Sequence, residues 1–383
     1  MFNCTRRNFL IGGAASVFFT GLNLSTPVGA SIGPKKNLIV VMLRGGLDGL
    51  SAVPAIGDKK FKKYRKNLYG EYSKDVFKIS ADFGLHPRLE YFNILYGRNE
   101  AAVVHATNTP YVDRSHFDGQ DVMMSGATRP YAVKTGWLGR GMITANIMEV
   151  GLTLSLPMPL LLRGAEQKDN YFPAEGMIPK DEILEKLISA YRSDDDMKMV
   201  MENIRRRPVS QFFGENDTRD LAKHTGRILK DELGPNVAVF DMDGFDTHAG
   251  QLYNNNKNLE EFDNLLITLE DSLGDSWNNT LIVTLTEFGR TVRQNGGQGT
   301  DHGIGTAILM AGGLIKKGQV YTDWPGLKKK QLFEGRDLMS TLDARAVYNA
   351  AMSVCFDIDP EQLRRDVFWK DDLPNLTESL FKV

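Results

Sequence analysis

The feature that most restricts the fold is a series of short runs that are apolar from end to end. Asn37-Leu38-Ile39-Val40-Val41-Met42-Leu43 is the first, and Ala101–His105, Val237–Phe240, Thr280–Leu285 and Ala307–Ala311 follow it. Each is too brief for a helix and lacks the polar alternation of a half-exposed strand, so it reads as a strand buried on both faces. Helical patterns lie between them, over Asp181–Tyr191, Thr218–Leu233 and Leu259–Leu273. Strands that alternate with helices predict an α/β layered fold, its sheet parallel and covered by helices. No internal repeat or low-complexity linker interrupts the pattern, so residues 31–383 are expected to form one large domain. The basic, aromatic stretch from Lys59 to Lys78 reads as a solvated surface insertion.

Composition narrows the function classes. Among 383 residues, 42% are hydrophobic and 25% charged, which excludes a disordered or fibrous chain. Lys+Arg 46 against Asp+Glu 48 gives a formal charge of −2, so the basic face of a nucleic-acid binder is not expected. The two cysteines, Cys4 and Cys355, allow neither a disulfide framework nor a thiolate metal cluster.

The first thirty residues read as an address. Thr5-Arg6-Arg7-Asn8-Phe9-Leu10 precedes an apolar stretch, Ile11 to Leu24, which exits through Pro27-Val28-Gly29-Ala30. A basic start, apolar middle and small-residue exit make a secretory signal, and the paired arginines are of the twin-arginine type. The apolar run falls short of the roughly 20 residues that span a bilayer. Cleavage after Ala30 would leave a periplasmic or secreted protein with no stable membrane span, whose partner during export is the twin-arginine translocase.

Ligands of open α/β sheets bind beyond the carboxyl ends of the strands, and titratable residues gather there. Asp48 follows the first strand, Asp243, Asp246 and His248 the third, and Glu287 and Arg290 the fourth; Asp301 and His302 stand just before the fifth. Carboxylate oxygen with imidazole is a ligand set for zinc, manganese or iron rather than a soft metal. Each residue also has a plainer role open to it: Asp48 as a turn or helix cap, Asp246 in an Asx turn, Glu287 paired with Arg290. After the second strand, Arg114-Ser115-His116 opens a helix in which Asp113 or Ser115 could cap. Ser115 there could instead be a nucleophile beside an anion-attracting helix end, with His116 as ligand or proton donor. His86 and His105 read as structural.

Seven runs together carry a resemblance: RGGLDGLS (Arg44–Ser51), RSHFDGQD (Arg114–Asp121), GWLGR (Gly136–Arg140), GFDTH (Gly244–His248), TEFGRT (Thr286–Thr291), GTDHG (Gly299–Gly303) and DWPGL (Asp323–Leu327). From about Asn37 to Asp357 the chain resembles an exported bacterial family, domain of unknown function 1501, in the alkaline phosphatase and sulfatase clan. The resemblance implies a three-layer α/β/α fold with a mostly parallel central sheet, and hydrolysis of phosphate or related esters on a metal. It implies metal ligation by Asp48, by Asp246 (or Asp243) with His248, and by Glu287, Asp301 and His302. Ser115, His116 and Arg290 take catalytic roles, Ser115 resembling the nucleophile at a helix start before a Ser-Gly turn (Ser125-Gly126). Arg44 and Arg114 would bind a small anionic ester substrate.

The chain departs from the clan in two places. Glu287-Phe288-Gly289 stands where clan members commonly have Asp-His-Gly, so one divalent metal (zinc, manganese, magnesium or calcium) is expected rather than two. No cysteine or serine has the Cys-x-Pro-x-Arg setting of a sulfatase. The expected function is an exported metal-dependent hydrolase of a phosphate or related ester. The alternative is a non-catalytic binding or assembly protein that keeps the clan fold around a degenerate centre.

Overall fold

The structure is a computed structural model that describes residues 34–147, 149–154, 157–170, 218–232 and 234–383. The expected signal segment and the expected helix over 181–191 lie outside the described residues. In chain order the strands are β1 (Asn37–Leu43), β2 (Phe77–Lys78), β3 (Gly84–Leu85), β4 (Ala101–Asn108), β5 (Gly151–Thr153), β6 (Lys168–Asn170), β7 (Val237–Met242), β8 (Thr280–Leu285), β9 (Thr306–Ala311), β10 (Val320–Tyr321) and β11 (Leu342–Asp343). β2 and β3 form a small antiparallel pair; the others build one sheet in the order β10-β4-β9-β8-β1-β7-β5-β6, with β11 also on β4.

β1 lies between β7 and β8 and is parallel to both, Leu38 facing Val237 on one side and Leu281 on the other. All seven of its residues are buried, and their alternation divides them between two cores. Ile39, Val41 and Leu43 pack with Phe92 and Leu95 of the helix Glu90–Gly97 and with Leu259, Phe262 and Leu266 of the helix Gln251–Leu273. Leu38, Val40 and Met42 pack with Trp137 and Leu138 of the helix Trp137–Thr144 and with Val347, Ala350 and Ala351 of the helix Ala344–Phe356. The continuous apolar run is thus the signature of a strand covered on both faces, and the molecule has the expected three α/β/α layers.

The sheet is mixed, because β9 runs antiparallel to both β4 and β8. This reversal matters for the site. Residues that precede an antiparallel strand lie at the same edge as residues that follow its parallel neighbours, so the loop holding Asp301 and His302 meets those leaving β1, β7 and β8.

The stretch from Lys59 to Lys78 is not a solvated insertion. Its two short helices, Phe61–Tyr64 and Lys66–Tyr72, bury Phe61, Tyr64, Leu68, Tyr69 and Tyr72, and Arg65 between them is wholly buried. Among the described residues no helix is long and apolar enough to cross a membrane.

Candidate metal centre

Five loops converge at the carboxyl edge of the sheet. The turn after β1 makes this possible through Gly45, whose φ of 112° is left-handed. A Cβ at Gly45 would stand 2.2 Å from the backbone nitrogen of Asp246, and one at Gly299 would stand 2.3 Å from the carbonyl oxygen of His248. Both glycines are required for backbone to approach backbone beneath the site. Gly45→Ala is expected to cost about 2–4 kcal/mol of stability, a large single-residue effect caused by backbone strain and overlap, read as a lowered denaturation midpoint.

Three histidines point their Nε2 atoms at Asp246. His248 Nε2 is 3.0 Å and His302 Nε2 3.1 Å from Asp246 Oδ1, and the two nitrogens are 2.9 Å apart. His116 Nε2 is 3.4 Å from Asp246 Oδ2, and this buried atom has no hydrogen-bond partner among the described residues. The opposite ring nitrogens are all engaged. His116 Nδ1 lies 2.9 Å from Glu287 Oε1, His248 Nδ1 3.2 Å from Asp301 Oδ1, and His302 Nδ1 2.9 Å from the carbonyl oxygen of Arg114.

Those partners fix the tautomers. A carbonyl or an ionised carboxylate only accepts, so each Nδ1 carries a proton, and a ring in its neutral form then has its lone pair on Nε2. Lone pairs and a carboxylate gathered about 3 Å apart repel one another unless a cation lies among them. Donor atoms of a tetrahedral zinc site, at metal distances near 2.0–2.2 Å, are about 3.3 Å apart. His116, Asp246 and His302 offer atoms that all lie within 4.8 Å of one another, a grouping able to hold a metal ion. Imidazoles held through their second nitrogen by carboxylate or carbonyl are the usual outer support of such ligands.

Electrostatics follow the same plan. The Glu287 hydrogen bond raises the His116 pKa against the effect of burial. Burial would raise Glu287 itself, but the bonds from His116, Gln120 and the Gly45 amide hold it below the usual carboxylate range. Asp246 is likewise pushed up by burial and pulled down further by the hydrogen bond and charge of Arg290. Burial lowers the His302 pKa, against its hydrogen bond to the Arg114 carbonyl, which raises it. Phe288 is fully buried and packs its ring 5.0 Å from that of His116 and 4.8 Å from that of His302.

The other sequence-derived candidates are placed as follows. Asp48 is not brought into this cluster. It caps the helix Gly49–Ala52 and is buried in an ion pair with Arg65, where it also accepts from Ser51 and Gln251. Glu287 pairs with His116 and not with Arg290. Arg290 donates to Asp246 Oδ1 at 2.6 Å, to the Gly45 carbonyl and to Thr300. Asp243 is exposed, its pKa raised by partial burial and by the charge of Asp241. Arg44 donates to Asp241 and Gln120. Arg114 donates to Asp337 and Glu334, so it is its carbonyl rather than its guanidinium that reaches the site. Ser115 is the N-cap of the helix His116–Ser125, yet its hydroxyl makes no capping bond. His105 and His86 are buried away from the cluster, their pKa values driven down to about 4 by desolvation. Sequence reasoning missed Arg65 and Gln251, which lie in none of the runs singled out, and gave no role to Thr300 inside GTDHG.

Residues 218–359 match a family described as Protein of unknown function (DUF1501). That interval contains Asp246, His248, Glu287, Arg290, Asp301 and His302, while the runs at Arg44–Ser51, Arg114–Asp121 and Gly136–Arg140 precede it. No curated protein matches the chain. Solved structures similar to it include Ps i-CgsB in complex with k-i-k-neocarrahexaose, at 11% identity over 90% of this chain and 76% of that one, TM-score 0.44. Phosphonate monoester hydrolase SpPMH from Silicibacter pomeroyi aligns at 10% identity over 88% of this chain and 77% of its own, TM-score 0.43. The C-terminal periplasmic domain of EcEptC from Escherichia coli aligns at 11% identity over 90% and 88%, TM-score 0.42.

Proposed function

We propose that this chain is a metal-dependent hydrolase of a phosphate or related ester, of alkaline phosphatase-like type, exported by the twin-arginine route. The observation that carries the reading is the convergence of three Nε2 atoms, those of His116, His248 and His302, on Asp246 while every Nδ1 is held from behind. Asp246, His248, His302 and His116 would hold one divalent cation. The nitrogen-rich donor set favours zinc or manganese over magnesium and calcium, which prefer oxygen alone. When bound, such a cation polarises an ester oxygen and stabilises the charge that develops on it.

The chain's own residues supply the rest. Glu287 and Asp301 orient His116 and His248, and Arg290 keeps Asp246 ionised. Ser115, half-buried at the start of a ten-residue helix and free of a capping bond, is the candidate nucleophile. Its helix end attracts the anionic group of a small ester. The Ser115 Oγ–phosphorus bond would form as the ester P–O bond breaks, the hydroxyl proton leaving with the alcohol, and water would then cleave the phosphoserine to release phosphate and restore the hydroxyl.

The test is the metal content of the purified mature protein beside its turnover of phosphomonoester and phosphodiester substrates. Near-stoichiometric metal with metal-dependent turnover supports the reading. No metal, even after reloading with zinc and manganese, overturns it in favour of a binding protein, for which Arg290 already serves as the cation on Asp246. Glu287→Gln is expected to weaken metal binding about 10–100-fold, the usual effect of losing an outer carboxylate, as measured by chelator competition. Replacing Arg6 and Arg7 with lysines is expected to leave uncleaved precursor in the cytoplasm; normal processing would count against this export route.

A further inference from the structure

We infer that the buried Asp48–Arg65 pair is a positioning device that fixes Arg290, and through it Asp246, by way of Gln251 and Thr300. The inference rests on Asp246 belonging to the functional centre. An unbroken line of hydrogen bonds connects the two ends. Arg65 Nη1 and Gln251 Nε2 both donate to Asp48 Oδ2. The Thr300 hydroxyl donates to Gln251 Oε1 at 2.7 Å and accepts from Arg290 Nε at 3.2 Å. Arg290 Nη2 donates to the Thr300 carbonyl, and Nη1 reaches Asp246 Oδ1 at 2.6 Å.

The line has only one polarity. Asp48 can only accept and Arg290 can only donate. The carboxylate therefore orients the Gln251 amide, the amide oxygen orients the Thr300 hydroxyl, and the hydroxyl's lone pair is left for Arg290. Asp48, Arg65, Gln251, Thr300 and Arg290 are each at most 2% exposed, so water does not compete along the path. Arg65 also grips the backbone beyond Arg290, donating to the carbonyls of Thr291 at 2.7 Å and Val292 at 3.0 Å. A buried ion pair stabilises a fold no better than apolar side chains of its size would. What this pair supplies that apolar residues could not is direction.

The experiment compares Thr300→Val, which removes the hydroxyl at constant shape, with Thr300→Ser, which keeps it. Two readouts are taken on each full-length mature variant. The first is hydrogen exchange of the Arg290 Nε–H in metal-free protein, with its NMR signal assigned by loss in Arg290→Lys. The second is zinc affinity by chelator competition. Thr300→Val is expected to lose protection of the Arg290 Nε–H and to bind zinc about 10–100-fold more weakly, whereas Thr300→Ser stays close to wild type. Gln251→Met, which breaks the adjoining link, is expected to behave as Thr300→Val and replaces it should that variant not fold. Equal protection in the valine, methionine and serine variants overturns the inference. A wild-type protein that takes up no zinc overturns the hydrolase reading instead, and the exchange measurement still decides whether the line positions Arg290.

Discussion

His302→Ala and Asp246→Ala are each expected to abolish stoichiometric metal binding and to lower ester hydrolysis by roughly three powers of ten. The magnitude follows because a bound cation contributes several kcal/mol of charge stabilisation, and about 1.4 kcal/mol is a tenfold change in rate. His302 Nε2 is 2.9 Å from His248 Nε2 and 3.1 Å from Asp246 Oδ1, so its loss would remove one of the four donors proposed to hold the cation. Asp246→Ala is expected to be the more disruptive to stability, because Arg290, only 1% exposed, would lose its carboxylate and remain as a buried cation. Elemental mass spectrometry of the two variants beside wild type is the check. Unchanged metal in both would remove Asp246 and His302 from the proposed centre.

Breaking the Asp48–Arg65 pair is the second large effect. Asp48→Ala leaves Arg65 wholly buried without its counter-charge, and loss of one partner from such a pair costs about 3–5 kcal/mol. That is a major part of the 5–15 kcal/mol by which domains are ordinarily stable. The double variant Asp48→Leu with Arg65→Met is expected to recover most of the loss, because two apolar side chains need no counter-charge. It would not recover the orientation of Arg290, which separates stability from positioning. Denaturant titration of the single and double variants measures the first quantity.

The same pair gives a pH dependence with a defined sign. Burial would push the Asp48 pKa up, but the charge and hydrogen bond of Arg65, with bonds from Ser51 and Gln251, hold it below the usual carboxylate range. In the unfolded chain the carboxyl titrates near the ordinary aspartate value of about 3.9. The folded state therefore binds this proton less readily, and the carboxylate contributes its full stability above about pH 4. That contribution is lost as pH falls through the folded-state pKa. The stability difference between wild type and Asp48→Asn should accordingly shrink on acidification below about pH 4; a difference that grows there would contradict the assignment.

How much of the molecule was legible beforehand can be followed residue by residue. β1 and β8 coincide with the runs read as buried strands, and β7 and β9 extend theirs slightly at one end. The strand-end rule named residues that the fold does gather, among them Asp246, His248, Glu287 and His302, because hydrophobic continuity identifies the strands and polar residues at their ends cannot enter the sheet. The stretch around Arg65 misled, since an arginine among lysines and tyrosines looks solvated until its partner is known. That partner, Asp48, is 17 positions away, and the pair's other support, Gln251, is 203 positions from Asp48.

Composition along the chain by itself determined the layered α/β architecture, the buried sheet and the edge at which chemistry could occur. These depend on hydrophobicity, which belongs to each residue and its immediate neighbours. Tertiary structure alone decided that β9 runs backwards, so that His302 arrives at the same edge as His248. It also decided which of two aspartates in similar Gly-rich loops would face the histidines and which would hold an arginine. Asp48 and Asp246 differ little in local sequence; they differ in which distant donors reach them. Hydrogen bonding is directional and short-ranged, and its partners are set only once the chain has folded.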